Sequence, residues 1–132
     1  MTGLDTNILV RFLVADDDVQ TQAVYRLFKE AEAKKISLFI SLPVLLELFW
    51  VLESAYNLPR RDILAAVTAL TTLTVLKFDG AAVVRDLLED ARKTTCDLSD
   101  LLIAHVAKAN DCDTTFSFDK KACRHPLFRL LR

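Results

Sequence analysis

The chain has 132 residues, of which 52% are hydrophobic and 27% charged, with a net charge of −1. That length suits one core of ordinary domain size, two glycines and three prolines leave little material for a linker, and near-neutrality removes any whole-chain attraction to polyanions. No apolar stretch reaches the ~18 residues of a membrane span, and three cysteines without C-x-x-C spacing, beside two histidines, support neither a disulfide framework nor a zinc site.

The N-terminus lacks a basic segment followed by a long apolar one, so the expectation is a soluble, unexported, cytoplasmic protein. Residues 1–132 should form a single domain, with Cys96, Cys112 and Cys123 as reduced thiols in packing roles.

Gly3-Leu4-Asp5 reads as a first strand. Ile8 to Val14 is apolar enough for strand or helix, and a helix starting near Thr6-Asn7 is favoured. Asp16-Asp17-Asp18 supplies a cap and first-turn acids for a helix from about Val19 to Lys35, with Val24, Leu27, Phe28 and Ala31 on one face. Ile36–Ser41 is a β-prone run, and Pro43 is read as the first helical position of a segment reaching Tyr56. Asn57-Leu58-Pro59 breaks it, and Arg60 to Leu73 resumes helical spacing through Ile63, Leu64, Val67 and Leu70. Thr74–Phe78 is the third strand, and Asp79-Gly80 opens a helix to about Lys93. Leu98 to Asn110 is a helix capped by Asp97, and Asp113 to Phe118 is the fourth strand.

Strands alternating with helices predict an α/β fold, a three-layer α/β/α sandwich with a mainly parallel sheet of four to five strands. In such sheets ligands gather beyond the carboxyl ends of the strands. Four acids are set toward that edge among apolar residues: Asp5, Glu47, Asp100 and Asp119. A buried carboxylate needs a compensating partner, so their company predicts one shared cation. Glu47 is expected to be the most enclosed, since Val44, Leu46, Leu48 and Val51 surround it in sequence.

Each acid also has a plainer reading. Asp97 and Asp100 suit a helix cap and a first-turn acid, Asp119 a turn, Asp5 a cap, and Glu47 an arginine or lysine pair. Asn7 and Ser117 are placed to orient a carboxylate or a water, although both types are routine at helix starts and in strands. His105 reads as a surface or core histidine rather than a general base. Converging carboxylates repel, and an all-oxygen set matches a hard cation, Mg²⁺ or Mn²⁺, suited to phosphodiester hydrolysis. Lys120, Lys121 and Arg124, in an acid-free run to Arg132, suit flanking phosphates or plain solvated surface.

Leu4-Asp5-Thr6-Asn7-Ile8-Leu9-Val10, a mid-helix Glu47, Asp97-Leu98-Ser99-Asp100-Leu101-Leu102-Ile103-Ala104 and Ser117-Phe118-Asp119 together resemble the PIN-domain ribonucleases. Within these the likeness is to the VapC-type toxins of toxin–antitoxin pairs, and it covers essentially the whole chain. The resemblance implies a Mg²⁺- or Mn²⁺-dependent endoribonuclease, usually dimeric, held inactive by an antitoxin encoded beside it. It implies an acidic site of Asp5, Glu47, Asp100 and Asp119, supported by Asn7, Asp97 and Ser117. Metal would be held by Asp5, Asp100 and Asp119. Two positions depart from the family's habit, Leu101 where alanine is common and Phe118 where arginine is frequent, and both bear on substrate grip.

Two other readings compete. A Mg²⁺-binding phosphoacceptor signalling domain wants paired acids after strand one, where only Asp5 stands. A non-catalytic acidic pocket for a basic peptide would be indifferent to divalent metal. A haloacid-dehalogenase-like phosphatase wants a second aspartate where Asn7 stands.

Overall fold

The computed structural model describes residues 1–132 and divides them into two units, Met1–Asp79 and Gly80–Arg132. The first opens with a short strand, β1 (Thr2–Gly3), and Asp5 in extended conformation caps α1 (Thr6–Val14). The ambiguous apolar run is thus helical: Leu9 and Val10 are buried, and Phe12 stacks on Phe28 of α2 (Asp18–Ala33) at 4.7 Å between ring centroids. Asp17 caps α2, its Oδ1 accepting from the Gln20 N–H at 3.0 Å.

Strand β2 (Leu38–Ile40) is shorter than the β-prone run, because Lys35 takes a positive φ of 56° and the Ile36 N–H closes back onto the Ala31 carbonyl at 2.8 Å. Helix α3 (Leu42–Ser54) follows, with Pro43 in its first turn, and ends before Asn57 at φ 52°. Helix α4 (Arg60–Thr71) buries Ile63, Val67 and Leu70 before β3 (Leu76–Phe78). The strands run β1-β2-β3, all parallel, in the register Gly3↔Phe39↔Lys77. Parallel order sends the carboxyl ends of all three to one edge, where Asp5 and the start of α3 lie.

In the second unit Gly80 takes a left-handed φ of 63° and opens α5 (Ala81–Ala91), which packs on α6 (Leu98–Ala109). Val84, Leu87, Leu88, Leu101, Leu102 and Ala104 are the buried apolar residues of this pair. Truncating one such leucine to alanine costs about 2–5 kcal/mol. Strand β4 (Thr115–Ser117) is followed by a 3-10 turn (Ala122–Arg124) and by β5 (Phe128–Leu130), which pairs parallel with β4. The class is α/β and every strand pairing is parallel, as the alternation of elements requires. No helix is long and apolar enough to cross a membrane.

Candidate functional site

The acids expected to be buried are not. Asp5, Glu47 and Asp119 are exposed, while Asp97 and Asp100 are half-buried. The reason is clearest at Glu47. Helix α3 turns Leu45, Leu48, Phe49 and Leu52 into the core and leaves Pro43, Glu47 and Trp50 on its outer side, with Trp50 63% exposed. Apolar neighbours in sequence do not enclose a helical side chain when they belong to the opposite face. Asp5, Asp97 and Asp119 sit at element ends, where water reaches them.

Three of the plainer readings hold alongside any other role. Asp5 Oδ1 accepts from the Thr6 N–H at 2.7 Å, and Asp97 Oδ1 from the N–H groups of Ser99 at 2.9 Å and Asp100 at 3.3 Å. Asp119 Oδ1 accepts from the Lys121 and Ala122 N–H groups at 2.9 and 3.2 Å, tying β4 to the 3-10 turn. In each case these bonds fall on Oδ1. Ser117 Oγ accepts from the Asp119 N–H at 3.0 Å, so it orients this acid through the backbone. Asn7 is exposed and lines a cavity of about 440 Å³ between α1 and α2 with Arg11 and Gln20. Asp5 takes its hydrogen bond from Thr6 rather than from Asn7.

The first unit thus carries Asp5, Asn7 and Glu47, and the second carries Asp97, Asp100, Ser117 and Asp119. Within the second, three acids feel one another: burial first, then the charges of Asp97 and Asp119, raise the Asp100 pKa above the usual aspartate value. No group of three or more His, Cys, Asp or Glu side chains is placed to hold a metal ion. The ion pairs of the chain fall elsewhere, on Asp16, Glu30, Asp62, Asp86 and Asp90. Within the second unit, Asp97, Asp100 and Asp119 are oxygen donors without a basic partner, and that donor chemistry matches a hard divalent cation.

Sequence reasoning missed a second polar centre. His105 of α6 is a core histidine, 7% exposed, and its Nε2 lies 2.7 Å from Asp90 Oδ2 on α5. His125, also buried, brings its Nε2 to 2.8 Å from the same oxygen. The Leu127 N–H donates to His125 Nδ1 at 3.1 Å, so the His125 ring proton sits on Nε2 and is given to Asp90. Burial would raise the Asp90 pKa, but hydrogen bonds and charge from both histidines overcome it and leave the carboxyl below its usual range. These residues line a cleft of about 750 Å³ within the second unit. No spacing could have flagged them, since His105 and His125 lie 15 and 35 positions from Asp90.

Of the thiols, Cys96 is buried as a packing residue should be, whereas Cys112 is exposed and Cys123 lies between. Cys112 follows the positive-φ Asp111 just past the end of α6, outside the core.

Compared with known proteins, the sequence matches the PIN domain family over residues 4–126. No curated protein matches it, and neither does any solved structure.

Proposed function

The chain belongs to the PIN-domain family, whose members are typically metal-dependent nucleases, and from that premise we propose that it is a Mg²⁺- or Mn²⁺-dependent endoribonuclease, the toxin of a toxin–antitoxin pair. The observation that carries the reading is the match to the PIN domain family over residues 4–126, and Asp97, Asp100 and Asp119 of the second unit, without a basic partner, are compatible with it. Carboxylates pressed together without a basic partner hold protons or metal, and at neutral pH a hard cation is the better match.

On this reading residues 1–132 work as a single domain. Asp5, Asp100 and Asp119 would hold the cation, and Glu47 would join them or take a proton. A divalent cation held by these residues would supply Lewis-acid chemistry toward a phosphate and a more acidic water. The backbone bonds to Asp5 and Asp119 engage one oxygen of each, which would leave the other for a cation. Asp97 holds the first turn of α6 and so sets where Asp100 stands, Ser117 holds the Asp119 backbone, and Asn7 flanks Asp5. Lys120, Lys121 and Arg124, all exposed, grip phosphates without reading bases. This reading expects a second copy and a cognate antitoxin as protein partners.

The test is cleavage of labelled RNA by the purified chain with Mg²⁺, with Mn²⁺ and with chelator. Asp5→Asn and Asp100→Asn should abolish cleavage while circular dichroism stays native. Retained metal-dependent cleavage in either variant refutes the assigned role. The toxin assignment predicts growth arrest when the chain is expressed alone and relief when the product of the neighbouring gene is co-expressed. Unchanged growth despite measurable cleavage removes the toxin part of the reading.

A further inference from the structure

The polar centre around Asp90 joins three elements of the second unit at a single atom. Asp90 Oδ2, near the end of α5, lies 2.7 Å from His105 Nε2 on α6 and 2.8 Å from Nε2 of His125, the residue that follows the 3-10 turn. A carboxylate only accepts, so both imidazoles donate through Nε2. His125 has no nitrogen left for acid–base chemistry, because the Leu127 N–H occupies its Nδ1. Its part is therefore to hold something in place. The His125 N–H donates to the Ala122 carbonyl at 3.0 Å, and the Ala122 N–H donates to Asp119 Oδ1 at 3.2 Å. A series of hydrogen-bonded residues thus runs from Asp90 to Asp119. Asp100 belongs to the same helix as His105, and the charge of Asp119 reaches it.

Apolar side chains would fill this junction without fixing angles, whereas hydrogen bonds to one oxygen set both distance and direction. Between β4 and β5 the only regular structure is the 3-10 turn, and of residues 118–127 only Ala122 and His125 are buried. Ala122 offers one methyl group, so His125 is the larger anchor of this segment. We propose that His125 is a positioning residue: clamped with His105 on Asp90, it fixes the turn that carries Asp119 against α6 and so sets where Asp119 stands relative to Asp100. The proposal rests on the metal-dependent ribonuclease reading and deepens it by naming a residue that acts on the acidic site without entering it. Leu87, Leu88, Leu101 and Leu102 stay buried between α5 and α6 when the clamp is lost, which confines the damage to the turn.

The experiment compares His125→Gln with His125→Asn in the full chain. Glutamine carries its amide N–H at the reach of an imidazole Nε2 and keeps the bond to Asp90, whereas asparagine is too short to do so. The readouts are the amide NMR signals of Lys121 and Ala122 without metal, Mn²⁺ affinity by calorimetry, and kcat and KM for cleavage of a labelled RNA. His125→Asn should shift both amide signals and weaken Mn²⁺ binding and kcat by about 10- to 100-fold with KM unchanged, and His125→Gln should stay near the parent chain in every readout. A histidine that only stabilises the fold would lower the melting temperature of the variants and leave the Mn²⁺ affinity of the folded protein at the parent value; that result overturns the proposal. Unmoved amide signals, or equal losses in both variants, also overturn it. If His125→Asn does not fold, His105→Gln against His105→Asn, read in the same way, decides the matter. A parent chain that binds Mn²⁺ and cuts RNA beside an indifferent His125→Asn removes the positioning role alone, whereas a parent chain that does neither removes both readings.

Discussion

Two carboxylates of the second unit, Asp90 and Asp100, meet opposite fates. Both are partly desolvated, and burial pushes both toward holding a proton. Asp90 has two imidazole N–H groups, from His105 and His125, converging on one oxygen, and its pKa falls below the usual value. Asp100 has the charges of Asp97 and Asp119 instead, and its pKa rises. The fold has satisfied the first with its own side chains and left the second short of a positive partner. The two shifts have opposite signs because one carboxylate is met by hydrogen-bond donors and the other by like charge.

Breaking the satisfied member should have the largest effect. Asp90→Ala strands two buried imidazole N–H groups, at a cost of roughly 1–3 kcal/mol for each unsatisfied donor. Thermal unfolding should fall by ~10 °C or more, and a melt within a degree or two of the parent would show that water takes over from the carboxylate.

Next comes the response to metal. If the acids converge on one cation, Mn²⁺ or Mg²⁺ at a hundredfold excess over its dissociation constant stabilises the folded chain by about 2.7 kcal/mol. The shift should be read by calorimetry, and Asp100→Asn should erase it. An equal metal response in that variant would place the cation elsewhere.

Smaller is the effect of Asp100→Asn in chelator, where the substitution removes repulsion and should stabilise by under ~1 kcal/mol, since half-exposed charges are well screened. The sign follows from a raised pKa: the folded chain binds this proton more tightly than the unfolded one, so the penalty is present at neutral pH and fades as pH falls through the folded-state value. A destabilised variant would mean that Asp100 is held by contacts other than charge.

The subtlest difference lies in acid. Asp90, with a lowered pKa, contributes stability above the ordinary aspartate pKa of about 3.9 and loses it as pH falls through its lower folded-state value. Denaturant titrations between neutral pH and pH 3 should therefore show a shallower acid decline for Asp90→Asn than for the parent. Parallel curves would remove Asp90 from the acid response.

Much of the chain was legible one element at a time. Caps at Asp5, Asp17 and Asp97, Pro43 in a first turn, and the breaks at Asn57 and Gly80 are local signals, and the helices begin and end close to them. Strand β5 escaped notice because Phe128–Leu130 is too short to display a period and pairs with β4 only once the 3-10 turn has brought it back. The site was legible as a set of acids and illegible in its exposure: the run around Glu47 looks enclosing when written in a line, yet helical geometry gives its apolar members to the other face.

The sequence by itself determined the α/β class, the parallel pairing and the membership of acids at strand and helix ends, because periodicity, capping and crossover length act over a few residues to a few turns. Only the tertiary structure decided which carboxylates are satisfied. Whether an acid meets an imidazole or another acid depends on residues tens of positions away, and no local rule carries that information.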